Sequence, residues 1–272
     1  MGKNLREVLN MLSFNNRQPF LAAYVNNTLR ELGYRVFSPV SIRFIDITHF
    51  EGMRVYQRTL FFVLNKAVVD LFPGHALKIK HSVAKGFYCE VEGMENLPAE
   101  SIERIKARMQ ELIVQNIPIV GQRILREEAE ELYRQFGFAD KISLMETRPH
   151  LYVKVEILAD LPGFFYGALA PSTGFIHLFD VRKYFDGFYL AVPQRTDPTR
   201  LEKMIPQTKM FDVFHEYKDW VDILGVSTVG ALNEKIIIGK AGELIKIAES
   251  FHEKKLGNIA DTIHEKHNKD GV

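Results

Sequence analysis

The chain has 272 residues, 46% hydrophobic and 25% charged, an ordinary globular composition at a length that exceeds one compact core. Lys and Arg number 35 against 34 for Asp and Glu, so the net charge demands neither nucleic acid nor an anionic membrane as partner, and only a local basic face would attract a polyanion. The single cysteine, Cys89, excludes an internal disulfide and a multi-cysteine metal site, which fits a cytoplasmic protein, and no stretch approaches the roughly 20 apolar residues of a membrane span.

Leu5, Val8, Leu9 and Leu12 recur at helical spacing and predict a first helix, stopped by Asn15-Asn16 and Pro19. FLAAYVNN, LRELGYRVF and VSIRFIDIT read as strands with a turn at Asn26-Asn27, so residues 1–50 form a small α+β module. From Gly52 to Phe72 the pattern is a long, half-buried helix ended by Pro73-Gly74. ALKIKHSVA and GFYCEVEG predict a hairpin turning at Lys85-Gly86. After Leu97-Pro98, Ile102, Ile105, Met109, Leu112 and Ile113 form the apolar stripe of another helix. PIVGQRIL predicts a strand, REEAEELYRQFG a helix, and HLYVKVEIL, GFFYGALA, FIHLFDV and FDGFYLAV further strands. This irregular alternation argues for an α+β class over a doubly wound sheet, with a second module at 51–192. Residues 193–272 begin with the proline-rich connector PQRTDPTRLEKMIPQ and continue as helices.

Motifs that carry chemistry are scarce. A phosphate-binding G-x-x-x-x-G-K-[ST] loop is absent, since Gly239-Lys240 lacks both the spaced first glycine and a following hydroxyl. Gly163 and Gly167 do not make a dinucleotide fingerprint. His264 and His267 at i, i+3 are too few for a metal site by themselves. His81 and Cys89 lie on the two arms of the predicted hairpin and would suit a nucleophile and its base, although burial of Cys89 as a small apolar residue is the commoner arrangement. Tyr88, Tyr166, Tyr184 and Tyr189 read as core or pocket walls before base-stacking platforms. The residues alone predict no catalytic group, no metal site and no cofactor.

Taken as a series, YVNNTLREL, AVVDLFPG, KGFYCEVEG, LPAESIERIKARMQELIVQNIPI, REEAEELYRQFG, KISLME and APSTGFIHLF resemble the amino-terminal half of threonyl-tRNA synthetase over residues 5 to 190. That resemblance implies a TGS-like module followed by a module like the domain that hydrolyses mischarged seryl-tRNA. The first module begins at a helix without the usual opening hairpin, so the resemblance implies a partial TGS domain. The family's hydrolytic H-x-x-x-H and C-x-G-P-H motifs fall on Tyr56, Leu60, Phe165 and Leu169. Apolar carbon and one phenol of pKa about 10 replace the proton-transfer groups, so ester hydrolysis by that route is not expected.

GMRVYQRTLFFVL, HSVAKGFYCEVEG, FFYGALAPSTG, YFDGFYLAVPQRTDPTRL, FHEYKDWVDILGVSTVGALN and IKIAESFHEKKLGNIADTI resemble bacterial nucleoside kinases of the uridine kinase type. There a synthetase-like region and a helical connector precede a P-loop kinase domain. The resemblance implies that ATP and Mg belong to such a domain, expected beyond Gly271-Val272, and that the domain is this chain's partner, with the present residues regulatory or substrate-handling.

The expected cleft lies between the start of the long helix and FFYGALAPSTG. Tyr56, Leu60, Phe165, Tyr166 and Leu169 form its walls, Ser172 and Thr173 lie beside it, and Arg58, His81 and Lys85 stand at its rim. Its expected occupant is a nucleoside, a nucleotide or an RNA end, the last favoured by Arg54, Arg58, Lys78, Lys80 and Lys85. A remnant kept for packing or homodimer formation is the competing reading, and a residual aminoacyl-ester hydrolase is a third.

Overall fold

The computed structural model describes residues 2–12 and 16–270, so the predicted stop at Asn15 and the terminal Gly271 and Val272 lie outside the described residues. A strand β1 (Lys3–Asn4) leads directly into helix α1 (Leu5–Asn10). Asn4 caps it reciprocally: its Oδ1 accepts from the Glu7 amide at 2.7 Å, and Glu7 Oε2 accepts from the Asn4 amide at 3.0 Å. Strands β2 (Ala22–Val25), β3 (Thr28–Glu31), β4 (Arg35–Val36) and β5 (Ile42–Ile45) follow. The first two form a hairpin around Asn26 and Asn27, both at positive φ (46° and 63°), the geometry that asparagine tolerates best after glycine. β3, β2 and β5 make one antiparallel sheet, and β1 pairs with β4. The module therefore opens on a short strand and not on the predicted helix.

Helix α2 (Phe50–Leu71) begins two residues before the predicted start, because the His49 ring accepts from the Glu51 amide at 3.2 Å and caps it. Val55, Tyr56, Leu60, Phe62, Val63, Leu64 and Ala67 are fully buried, so α2 is enclosed on most sides. Each large apolar side chain buried this way contributes about 1.5–3 kcal/mol. The hairpin of β6 (Leu77–Val83) and β7 (Gly86–Val91) turns at Ala84-Lys85, with φ of 44° and 66°, one residue ahead of the predicted turn. Gly86 belongs to the strand for a packing reason: a Cβ there would stand 2.3 Å from the Tyr189 ring.

Helix α3 (Ala99–Val114) buries Ile102, Ile105, Met109 and Leu112 of the predicted stripe, while Ile113 at its edge is only half-buried. Then come β8 (Ile119–Leu125), α4 (Arg126–Gln135), α5 (Ala139–Glu146), β9 (Tyr152–Leu158) and β10 (Leu161–Gly163). β11 (Asp180–Tyr184) and β12 (Gly187–Ala191) complete an antiparallel sheet in the order β11-β12-β7-β6, while β10-β9-β8 form another. Two predicted strands form only at one end. Of GFFYGALA only Gly163 is in a strand. The backbone beyond it bonds to side chains instead: Ala168 O accepts from Arg58, Leu169 N donates to Glu31 and Ala170 N donates to Thr59. Within FIHLFDV the backbone of His177 and Leu178 is held by the Tyr56 hydroxyl, and pairing starts at Asp180.

The described residues up to Phe138, together with His150–Phe211, form one compact unit; Ala139–Pro149 and the described residues from Asp212 onward form a second. The second contains α5, most of α6 (Thr208–Ile223), α7 (Val229–Ile237) and α8 (Ala241–Asp270). Ser143 of α5 donates to Glu234 of α7 at 2.6 Å, and Trp220 stacks on Phe251 with ring centroids 5.4 Å apart. Sequence reading places α5 in the larger α+β module, whereas its packing partner is a helix about ninety residues later. Among the described residues no helix is long and apolar enough to cross a membrane.

Candidate functional site

The expected cleft beside α2 is closed by direct contacts. Arg58 Nε donates to Ala168 O at 2.9 Å, Ala170 N donates to Thr59 Oγ1 at 2.8 Å, and the Phe62 and Phe165 rings meet at 5.0 Å. Tyr56 is fully buried. Its hydroxyl donates to Leu178 O at 2.7 Å and accepts from the amides of Leu178 and His177 at 2.9 and 3.2 Å, and burial pushes its ionisation far up. It is a structural phenol, and Leu60, also fully buried, packs within the core.

A cavity of about 740 Å³ opens on the other side of the same loop. Phe165, Gly167 and Leu169 form one wall, β8 and β9 supply Gly121, Lys154 and Glu156, and the small module supplies Arg6, Leu29, Arg30, Glu31 and Tyr34. Two of the expected wall residues, Phe165 and Leu169, thus line it. Arg58 lies behind the wall, where its guanidinium backs on Gly167 and one buried terminal nitrogen, Nη2, has no hydrogen-bond partner among the described residues. Tyr166 points out, 70% exposed, with its ring edge-on to Phe164.

The other expected members lie elsewhere. Ser172 donates to Asn116 at 2.6 Å, and Thr173 donates to Leu112 O at 2.6 Å while accepting from Ile117 N, so both fasten the end of α3. His81 packs against Tyr88 and Phe211, and Lys85 reaches Glu202 at 3.5 Å. A register shift after Ile79 sets His81 opposite Tyr88, leaving Cys89 opposite Ile79. Cys89 is wholly buried with its thiol pushed up by burial, which removes the nucleophile–base option. Tyr88, Tyr184 and Tyr189 belong to one apolar cluster with Val83 and Phe211. Among the described residues no group of three or more His, Cys, Asp or Glu is placed to hold a metal ion.

Charge in the cavity is arranged around Lys154. Its ammonium bonds Glu31 at 2.6 Å and also Glu156, its neighbour on the same face of β9. Burial works against the Lys154 charge, yet the two carboxylates outweigh it and its pKa rises. Glu156 is 2% exposed; burial and then the Glu31 charge push its pKa up against the pull of Lys154. Arg30 lies over the Tyr34 ring at 4.7 Å and Arg6 over Phe175 at 5.9 Å, and neither has a carboxylate partner among the described residues. Sequence reading misses Arg6, Arg30, Glu31, Lys154 and Glu156. The available signal is the alternation of YVKVEIL, which puts two charged side chains on one face of an otherwise buried strand.

No family model matches the chain. It is similar to the threonine–tRNA ligase of Rubrobacter xylanophilus, 25% identical over 181 residues, which cover 66% of this chain and 28% of that protein. The threonine–tRNA ligase of Carboxydothermus hydrogenoformans is 28% identical over 177 residues, 64% of this chain and 27% of the relative. Threonine–tRNA ligase 2 of Bacillus subtilis is 26% identical over 187 residues, 67% and 29% of the two chains. The match therefore spans less than a third of these relatives' length. The architecture is accordingly that of a threonyl-tRNA synthetase-like α+β module.

Proposed function

We propose that this chain is an RNA-binding module that receives a single-stranded RNA end, of the kind that terminates tRNA, in the cavity of the small module and β8–β9, and binds it without hydrolysing an ester. The observation that carries the reading is the pair of unneutralised arginines at the cavity, Arg6 and Arg30, each over an aromatic ring. Such a pair offers a base a π face and offers phosphate the outward N–H edges. A volume of about 740 Å³ suits a nucleotide. Similarity to ligases named for tRNA makes RNA the first ligand to test.

Ester hydrolysis lacks a free base in this site: Phe165 and Leu169 are apolar, and the Glu156 carboxylate is engaged by Lys154. The nucleoside-kinase reading, with its ATP- and magnesium-dependent domain elsewhere, rests on sequence wording alone, and no relative named above is a kinase. It would place uridine or its phosphates in the cavity.

Fluorescence anisotropy with an RNA hairpin carrying a single-stranded 3′ end tests the proposal. Affinity should fall at least tenfold, by about 1.4 kcal/mol, for Arg30→Ala and should drop steeply between about 50 and 200 mM salt. Binding of uridine or its phosphates that RNA does not displace would favour the kinase reading, and turnover of an aminoacyl ester would overturn the non-hydrolytic half.

A further inference from the structure

Directly paired residues of an antiparallel sheet point to one face. In the sheet β3-β2-β5, Tyr24 is paired with Leu29 on one side and with Arg43 on the other. Leu29 lines the cavity, so Tyr24 and Arg43 stand beyond it on the sheet face that Leu29 and Glu31 share, while Arg30, paired with Ala23, reaches the cavity from the opposite face at the β3 edge. The Arg43 guanidinium lies over the Tyr24 ring at 4.8 Å, and Tyr24 meets the His49 ring edge-on at 5.8 Å. His49 caps α2, whose first residue, Phe50, is 58% exposed and carries Arg54 over its ring at 4.3 Å. Arg195 reaches the same place from the connector, donating to Thr48 O at 2.9 Å. Arg54 shares its charge with Glu51, while Arg43 and Arg195 have no carboxylate partner among the described residues.

From this arrangement we infer that the strip Tyr24, Arg43, His49, Phe50, Arg54 and Arg195 is a track for single-stranded RNA leaving the cavity. Tyr24 and Phe50 offer faces for bases, and the arginines offer N–H groups to the intervening phosphates. Alternating aromatic and guanidinium groups suit a flexible polyanion with flat bases, because stacking is tolerant of sequence and phosphate pairing follows the backbone. An apolar peptide would leave these guanidiniums without anions, and a smooth duplex has no splayed bases for the rings. The inference rests on the RNA reading of the cavity and adds to it the path of the strand outside.

Its test uses the full chain with two RNAs, a trinucleotide and a single strand of about ten nucleotides. The longer strand should bind at least tenfold more tightly. Arg43→Ala and Arg54→Ala together should remove that gain and reduce the salt slope by about one for each phosphate that no longer has a guanidinium beside it, leaving trinucleotide affinity unchanged. Arg30→Ala should weaken both RNAs. Arg43→Lys should keep the salt slope while losing part of the affinity, separating charge from stacking. Equal affinity for the two RNAs, or a longer strand indifferent to the arginine variants, would overturn the track while leaving the cavity reading intact. Strip variants that weaken the longer strand while Arg30→Ala changes nothing would leave the strip as an RNA-binding surface but remove the cavity reading, and with it the track as a path out of the cavity. Absence of binding by either RNA would remove both.

Discussion

Gly167 backs directly on the guanidinium of Arg58: at its φ of +125°, a Cβ would stand 2.8 Å from Arg58 Cζ and 3.0 Å from each terminal nitrogen. The loop between Phe164 and Ala170 therefore packs on α2 with no room for a side chain at residue 167 unless the Arg58 guanidinium moves. Gly167→Ala should cost about 1–3 kcal/mol through backbone strain and displacement of Arg58. The melting temperature should fall by about 2–4 °C for each kcal/mol lost. A thermal double-mutant cycle checks the cause. Once Gly167→Ala has dislodged the guanidinium, Arg58→Ala should cost little more, so the two effects should fail to add.

Tyr56 stands where the synthetase resemblance places a histidine, and it acts as a three-way backbone anchor for His177 and Leu178. Tyr56→Phe strands two amides and one carbonyl in the interior and should destabilise by about 1–3 kcal/mol. RNA affinity should not change, because the hydroxyl does not face the cavity. Chemical denaturation and anisotropy on the same variant separate the two outcomes.

The elements that were legible in the sequence are those whose signal is local. Asn26-Asn27 forms the turn because both residues adopt positive φ, and Ile102, Ile105, Met109 and Leu112 form a stripe because helical period alone sets their face. Phe164–Ala170 reads as a strand because apolar residues mark burial, not pairing; its backbone partners, Arg58, Thr59 and Glu31, are more than a hundred residues away. The candidate site was obscure for the same reason. Glu31 and Lys154 look like ordinary surface charges in their own segments, and they meet across 123 positions of sequence. Of the four positions aligned to the synthetase motifs, Phe165 and Leu169 line the cavity, whereas Tyr56 and Leu60 are fully buried away from it.

Lys66 joins three elements. Its ammonium lies 2.6 Å from Asp70 and 2.6 Å from Asp160, and Asp70 also accepts from Arg108 of α3 at 2.8 and 2.9 Å. Burial lowers the Lys66 pKa, but its hydrogen bonds to Asp160 and Asp70 outweigh it and the net shift is upward. That contribution is present below the ordinary lysine pKa of 10.5 and is lost as pH rises through the higher folded value. Asp160 is depressed, chiefly by its hydrogen bond from Lys66, so its contribution is present above 3.8 and lost as pH falls through the lower folded value. Lys66→Met should cost about 1.5–3 kcal/mol near neutrality, as expected for hydrogen bonds to charged groups, and should flatten both outer limbs of a stability–pH curve. Unchanged limbs in urea titrations across pH would show that other groups set them.

At the cavity, Lys154 is the only counter-ion given to Glu156 among the described ion pairs, and it also holds Glu31. Lys154→Ala would leave two carboxylates facing each other in a site proposed to take RNA. Because Glu156 is already pushed up by burial and by Glu31, removing the ammonium should raise it further and make part of it protonate on the way from neutral to mildly acidic pH. RNA affinity of the variant should therefore be about tenfold weaker than wild type at neutral pH and should recover as pH falls, the recovery beginning at a higher pH than any corresponding change in wild type. The double variant Lys154→Ala, Glu156→Gln carries one carboxylate fewer, so it should regain most of the lost affinity at neutral pH and lose the pH dependence. Anisotropy titrations of the three proteins across pH decide the matter: a Lys154→Ala protein that binds as wild type does at every pH would mean that the phosphates do not pass this cluster.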